Sequence, residues 1–109
     1  MAYVPERGDV IRITLNPQAG RRPAVVLSPS SYNAKVSLAA LCPITTHIKG
    51  YPFEVKIPED LPASGVILAD QVRSLDWRKR QAEYICTLPA ETVLDVLERL
   101  GTLLTVQTT

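Results

Sequence analysis

Hydrophobic positions along this chain change period from two to about three and a half near residue 89. From Asp9 to Leu15 (DVIRITL), Ile11, Ile13 and Leu15 alternate with Val10, Arg12 and Thr14, the pattern of a half-buried strand. NPQAGRRP at 16–23 is rich in turn formers and reads as a loop ending on a basic pair. PAVVLS at 23–28 is a continuous, largely β-branched run, which predicts a buried strand closed by PSSYN. KVSLAALC at 35–42 predicts a third strand, although its alanines and leucines also suit a helix. PFEVKI at 52–57 alternates through Phe53, Val55 and Ile57, and Pro58 and Pro62 with the acids between them mark a surface loop. GVILAD at 65–70 and AEYICTL at 82–88 predict two further strands, with RSLDWRKR between them as a turn or short helical piece.

From Pro89 onward, Val93, Val96, Leu97, Leu100 and Leu104 fall on one helical face. Proline in a first turn, with Glu91 and Asp95 early on, agrees with helix-start chemistry. Gly101 weakens the far end by about 1 kcal/mol relative to alanine, and the tail TVQTT reads as a fraying end. Five or six short strands followed by a helix describe a mainly β, α+β fold: a small antiparallel barrel with a packed C-terminal helix. Such a fold leaves function open.

Composition narrows the class. A chain of 109 residues, 46% hydrophobic and 21% charged, reads as a single soluble domain over 1–109. A domain of this size buries only about two-thirds of its unfolded surface, so a second copy would help to cover the remainder. MAYVPERGD lacks the apolar core of an export signal, and no apolar run approaches the ~20 residues of a membrane span. Cytoplasm is the expectation. Cys42 and Cys86, far apart and without CxxC spacing, read as reduced, buried thiols. The formal net charge of +1 hides an asymmetry. Val10–Phe53 contains no Asp or Glu but carries Arg12, Arg21, Arg22, Lys35 and Lys49, while the rest of the chain is net acidic. One half of the fold is expected to present a positive face.

Candidate chemistry is narrowed by what is missing. One histidine and two distant thiols do not make a zinc set, and there is no clustered carboxylate motif, GxxxxGK loop or nucleophile elbow. An enzyme built this way acts on a substrate that brings its own nucleophile. RNA is such a substrate: its 2′-hydroxyl attacks the adjacent phosphate, given proton transfers and a cation for the developing charge, a role suited to arginine. Arg22, beside Pro23 at the start of a buried strand, is a candidate, although Arg21 and Arg22 also read as solvated charges. In CPITTHIKGYPFEV at 42–55, Thr45 and Thr46 read as a strand end, and His47 as an exposed polar group or a proton-transfer residue. Lys49 and Tyr51 offer a phosphate contact and a stacking ring. Trp77 beside Arg78, Lys79 and Arg80 reads as a core anchor next to a wet turn.

Taken in order, GDVIRI, RRPAVVLSP at 21–29, ITTHIKGYPFEV at 44–55 and GVILADQVRSLDW at 65–77 resemble the MazF/PemK toxins over roughly residues 3–101, leaving 102–109 as a tail. The resemblance implies an SH3-like barrel with added helices that forms a homodimer and binds single-stranded RNA. It implies a sequence-specific, ribosome-independent endoribonuclease, an mRNA interferase of a type II toxin–antitoxin pair. Such an enzyme uses no metal or other cofactor and leaves a 2′,3′-cyclic phosphate and a 5′-hydroxyl. By the same resemblance Arg22 and Thr45 are catalytic, and Thr46, Lys49, Asn33, Lys35, Gln71 and Arg21 bind RNA. His47 tunes activity or specificity. The implied partner is a MazE-like antitoxin whose acidic, disordered tail occupies the RNA groove. The 16–23 loop is shorter than in well-known members, which bears on base preference. Two alternatives remain open on the residues alone: a non-enzymatic gyrase-poisoning toxin of the CcdB type on the same barrel, and a pure interaction module.

Overall fold

Strand β1 (Asp9–Asn16) realises the first alternating run, in a computed structural model that describes residues 2–18 and 20–106. It pairs antiparallel with β2 (Gly20–Val26), so the stretch expected to be a loop over 16–23 is mostly strand. Arg21 and Arg22 lie on β2 opposite Thr14 and Ile13. Gly20 turns the chain at φ +72°, a conformation that glycine adopts at little cost, and the tight return draws both arginines into the sheet. Ala19 in that stretch lies outside the described residues.

PSSYN does more than close a strand. It opens helix α1 (Ser30–Val36), which starts after Pro29 and stops where Ser37 turns left-handed at φ 60°. Lys35 and Val36 are therefore helical, and β3 (Leu38–Thr45) begins later and runs further than KVSLAALC suggested. Buried Asn33 holds this corner together. Its Nδ2 donates to the carbonyls of Pro5 (2.8 Å) and Ser28 (3.0 Å), and its Oδ1 accepts from the Ser28 hydroxyl (2.6 Å). Its carbonyl accepts the indole N–H of buried Trp77 at 3.0 Å, which bears out the reading of Trp77 as a core anchor.

β4 (Glu54–Lys56) and β5 (Val66–Leu68) form a short hairpin pair within the two predicted runs. RSLD is a strand, β6 (Arg73–Asp76), where a turn or helical piece was expected. Its polarity misleads because Arg73 and Ser74 point to solvent while the backbone pairs with Leu38–Leu41. β7 (Glu83–Thr87) returns to β1, and α2 (Ala90–Leu104) follows Pro89 as the periodicity predicts. Val93, Val96 and Leu100 are buried on it, but Leu104 is 70% exposed. The tail expected over 102–109 starts later than that: residues 102–104 continue α2, Thr105 and Val106 are exposed, and 107–109 lie outside the described residues.

The sheet runs β4-β5-β3-β2-β1-β7, with β6 also on β3. It is antiparallel throughout, and its pairing path is open rather than a closed ring among the described residues. Apolar groups lie on both faces. Val10, Val25, Cys42 and Ile67 pack with α2's Val96 on one side, and Ile11, Ile13, Val26, Leu41 and Trp77 pack on the other. A two-sided core explains why β2 reads as an unbroken apolar run. Both cysteines are free and buried, and burial pushes the Cys42 thiol up to about 12, so it stays neutral. No helix among the described residues is long and apolar enough to cross a membrane.

Asn33→Ala removes a fully buried amide and strands its partners, so it is expected to cost about 2–3 kcal/mol of stability. Urea unfolding measures this; a loss below about 0.5 kcal/mol contradicts the bracing role.

Candidate active site

The site follows from strand pairing. β2 and β3 pair with Ala24 opposite Pro43, Val25 opposite Cys42 and Val26 opposite Leu41. The ladder ends at Ala24 and Pro43, and Arg22 and Thr45 each lie two residues beyond it on their strands. Both line one open depression of about 350 Å³, together with Thr46, Ser64 and the apolar edge of Leu15, Pro23 and Ile44. No carboxylate lines it.

Thr45 is held from two sides. On its other edge it pairs with Val66 of β5. There the chain passes so close that a Cβ on Gly65 would lie 2.2 Å from the Thr45 carbonyl oxygen, and Gly65 sits at φ +110°. Only glycine satisfies both demands. The Thr45 hydroxyl oxygen accepts the His47 backbone N–H at 3.0 Å, which fixes the rotamer and leaves the hydroxyl hydrogen free to donate.

Beyond Thr45 the loop through residues 46–53 borders a second depression of about 220 Å³ that shares Thr45 with the first. His47, Lys49 and Tyr51 line one side, and Leu68, Asp70 and Gln71 the other. Glu54 holds the loop in place: its two carboxylate oxygens accept the backbone N–H groups of Lys49 (3.0 Å) and Gly50 (2.8 Å). From the opposite face, Arg99 of α2 bonds Asp95 at 2.8 Å and the carbonyl of Pro52. The Lys49 ammonium lies 5.8 Å from the centre of the Tyr51 ring.

Of the residues singled out in the sequence, Arg22, Thr45 and Thr46 share the first depression, and Thr45, His47, Lys49 and Gln71 share the second. Three lie elsewhere. Arg21 is drawn into the sheet, bonded to Glu83 at 2.6 Å and to the carbonyls of Arg12, Arg80 and Gln81. Asn33 is the buried brace described above. Lys35 stands exposed on α1 and lines neither depression. Glu54, Ser64, Gly65 and Asp70 were not singled out. Glu54 had a signal: it is the first acid after the acid-free stretch and follows Gly50-Tyr51-Pro52 by two residues. Gly65 had one too, as a glycine placed directly before a β-branched run.

A family model described as "PemK-like, MazF-like toxin of type II toxin-antitoxin system" matches residues 6–104. The Endoribonuclease toxin MazF of Escherichia coli (strain K12) is 51% identical over 85 residues, covering 73% of this chain and 76% of that protein. The crystal structure of MazE–MazF (Form-II) from Deinococcus radiodurans matches with a TM-score of 0.90 at 48% identity, covering 97% of this chain and 100% of that one. An endoribonuclease in complex with its cognate antitoxin from Mycobacterial species matches at 0.81 and 23% identity, covering 96% and 99%, a likeness of fold alone.

Glu54→Ala releases the two loop amides, so Lys49 and Gly50 are expected to exchange their amide hydrogens about tenfold faster or more. Unchanged exchange there, measured by NMR, contradicts the anchoring role.

Proposed function

This chain belongs to the PemK-like, MazF-like toxins of type II toxin–antitoxin systems, and on that basis we propose that it is an endoribonuclease that cuts single-stranded mRNA at a specific sequence. The observation that carries the reading is that Arg22 and Thr45 line one depression free of carboxylates. A guanidinium and a hydroxyl donor facing the same space suit a phosphodiester whose negative charge grows during reaction. The RNA 2′-oxygen forms a bond to phosphorus and the bond from phosphorus to the 5′-oxygen breaks. The 2′-hydroxyl loses its proton and the departing 5′-oxygen gains one, leaving a 2′,3′-cyclic phosphate and a 5′-hydroxyl. No metal or other cofactor enters this scheme, because the substrate supplies the nucleophile.

Arg22 stabilises the charge on the equatorial oxygens. Its guanidinium, always protonated, is a poor base, so its role is electrostatic. Thr45 donates its free hydroxyl hydrogen to the same phosphate. Thr46, Lys49 and Gln71 contact the flanking RNA. His47, within the second depression, tunes that contact. The toxin works in the cytoplasm on mRNA, independently of the ribosome, as a homodimer. Its partner is a MazE-like antitoxin whose acidic, disordered tail competes with RNA for the same cations.

Purified protein incubated with long RNA in EDTA is expected to cut at a defined sequence, leaving cyclic-phosphate ends. Arg22→Ala and Thr45→Ala should each slow cutting about 100–1000-fold, with circular dichroism and oligomeric size unchanged. Intact RNA removes the ribonuclease reading, and gyrase inhibition in its place moves the chain to the gyrase-poisoning class. Full activity in either variant removes that residue from the site.

A further inference from the structure

The two depressions that meet at Thr45 differ in charge, and the difference has a use. The first, with Arg22, Thr45, Thr46 and Ser64, offers a cation and hydroxyls to a phosphate. The second holds the carboxylates of Glu54 and Asp70. Glu54 is committed, both oxygens being engaged by the Lys49 and Gly50 amides. Asp70 is not: it is exposed, and among the described residues no hydrogen bond or ion pair engages its carboxylate. A free carboxylate within a groove for a polyanion repels every phosphate that approaches it. It fits there only if a different part of the RNA meets it.

We infer that this second depression takes a nucleobase next to the scissile phosphate, and that Asp70 makes it select a base carrying an amino group over uracil. The inference rests on the endoribonuclease reading above. The lining suits a flat ring: Tyr51 is 60% exposed with the Lys49 ammonium 5.8 Å from its centre, and Phe53 and Leu68 add apolar surface. A base slid against such walls gains stacking and cation–π contact whatever its identity. The polar end of the pocket then sets identity.

An ionised carboxylate only accepts hydrogen bonds. Cytosine offers its N4 amino group, adenine its N6 amino group, and guanine its N1 and N2 hydrogens. Uracil offers one N3 hydrogen between two carbonyl oxygens, which a carboxylate repels. Gln71, beside Asp70 on the same wall, brings both a donor and an acceptor to complete the pairing with an adenine or cytosine edge. Asp70 thus discriminates by rejecting uracil as much as by holding the amino group.

The test begins with end-mapping of RNA cut by the unmodified protein. Short RNAs are then made with a 2′-deoxynucleotide at the scissile position, which blocks cutting, and with each of the four bases in turn on either side of it. At one of these two positions the unmodified protein is expected to bind an amino-bearing base at least about tenfold more tightly than uracil. Asp70→Asn keeps the size of the side chain but adds a donor, and should reduce that ratio below about threefold. Cutting of all-ribose RNA by Asp70→Asn, with uracil newly accepted at that position, gives an independent readout. An unchanged ratio in Asp70→Asn, or a preference for uracil in the unmodified protein, overturns the inference and leaves the ribonuclease reading intact. Failure of the unmodified protein to cut any all-ribose RNA removes both.

Discussion

Strand β3 has partners on both edges, and the arrangement of the molecule depends on that double pairing. Leu41–Pro43 bond to β2 on one side. On the other, Leu38–Leu41 bond to β6 and Ile44–Thr45 bond to β5. β3 therefore joins the β1–β2–β7 half of the sheet to the β4–β5 hairpin. Thr45 lies at its end, between the start of β2 and the backbone before β5. The near contact at Gly65 leaves the Thr45 backbone little freedom to move, and the His47 N–H fixes its hydroxyl. In the proposed reaction, a hydroxyl held this way is preorganised, with little entropy to lose when a phosphate arrives.

The chain divides its arginines between two tasks. Arg21 bridges β1, β7 and the turn before β7, and Arg80 donates to the carbonyls of Thr14 and Leu15 at 2.8 Å. Both stiffen the far side of the β1–β2 hairpin and are spent on structure. Arg22, one residue from Arg21, points the other way because neighbouring side chains on a strand alternate. Alternation thus gives the adjacent arginines of RRPAVV one place braced in the sheet and one that lines the depression beside Thr45. The carboxylates beyond Thr45 limit the positive surface, so the groove is not a uniform track for any polyanion.

Much of this was legible in the chain. Period-two alternation found β1 and β4, apolar runs found β2 and β5, and the change of period located α2. The misreadings share a cause, since each segment takes its structure from a partner distant in sequence. RSLD looks like a turn until Leu38–Leu41 pair with it, and Ser30–Val36 becomes a helix around an asparagine whose partners include the distant Pro5 and Trp77. Asn33, expected at the RNA, is buried for the same reason. At the site, family resemblance singled out Arg22 and Thr45, which line one depression. Gly65 and Glu54 left fainter signals, because their effect is on the backbone of other residues.

The central claim is that Arg22 and Thr45 act on one phosphate because the pairing of β2 with β3 brings both to one depression. A double-mutant cycle on single-turnover RNA cutting, with Arg22→Lys, Thr45→Val and both together, tests it directly. Action at a shared phosphate predicts strong non-additivity, the double variant being little slower than the slower single one. Fully additive losses would mean that the two residues work independently, and would contradict the claim.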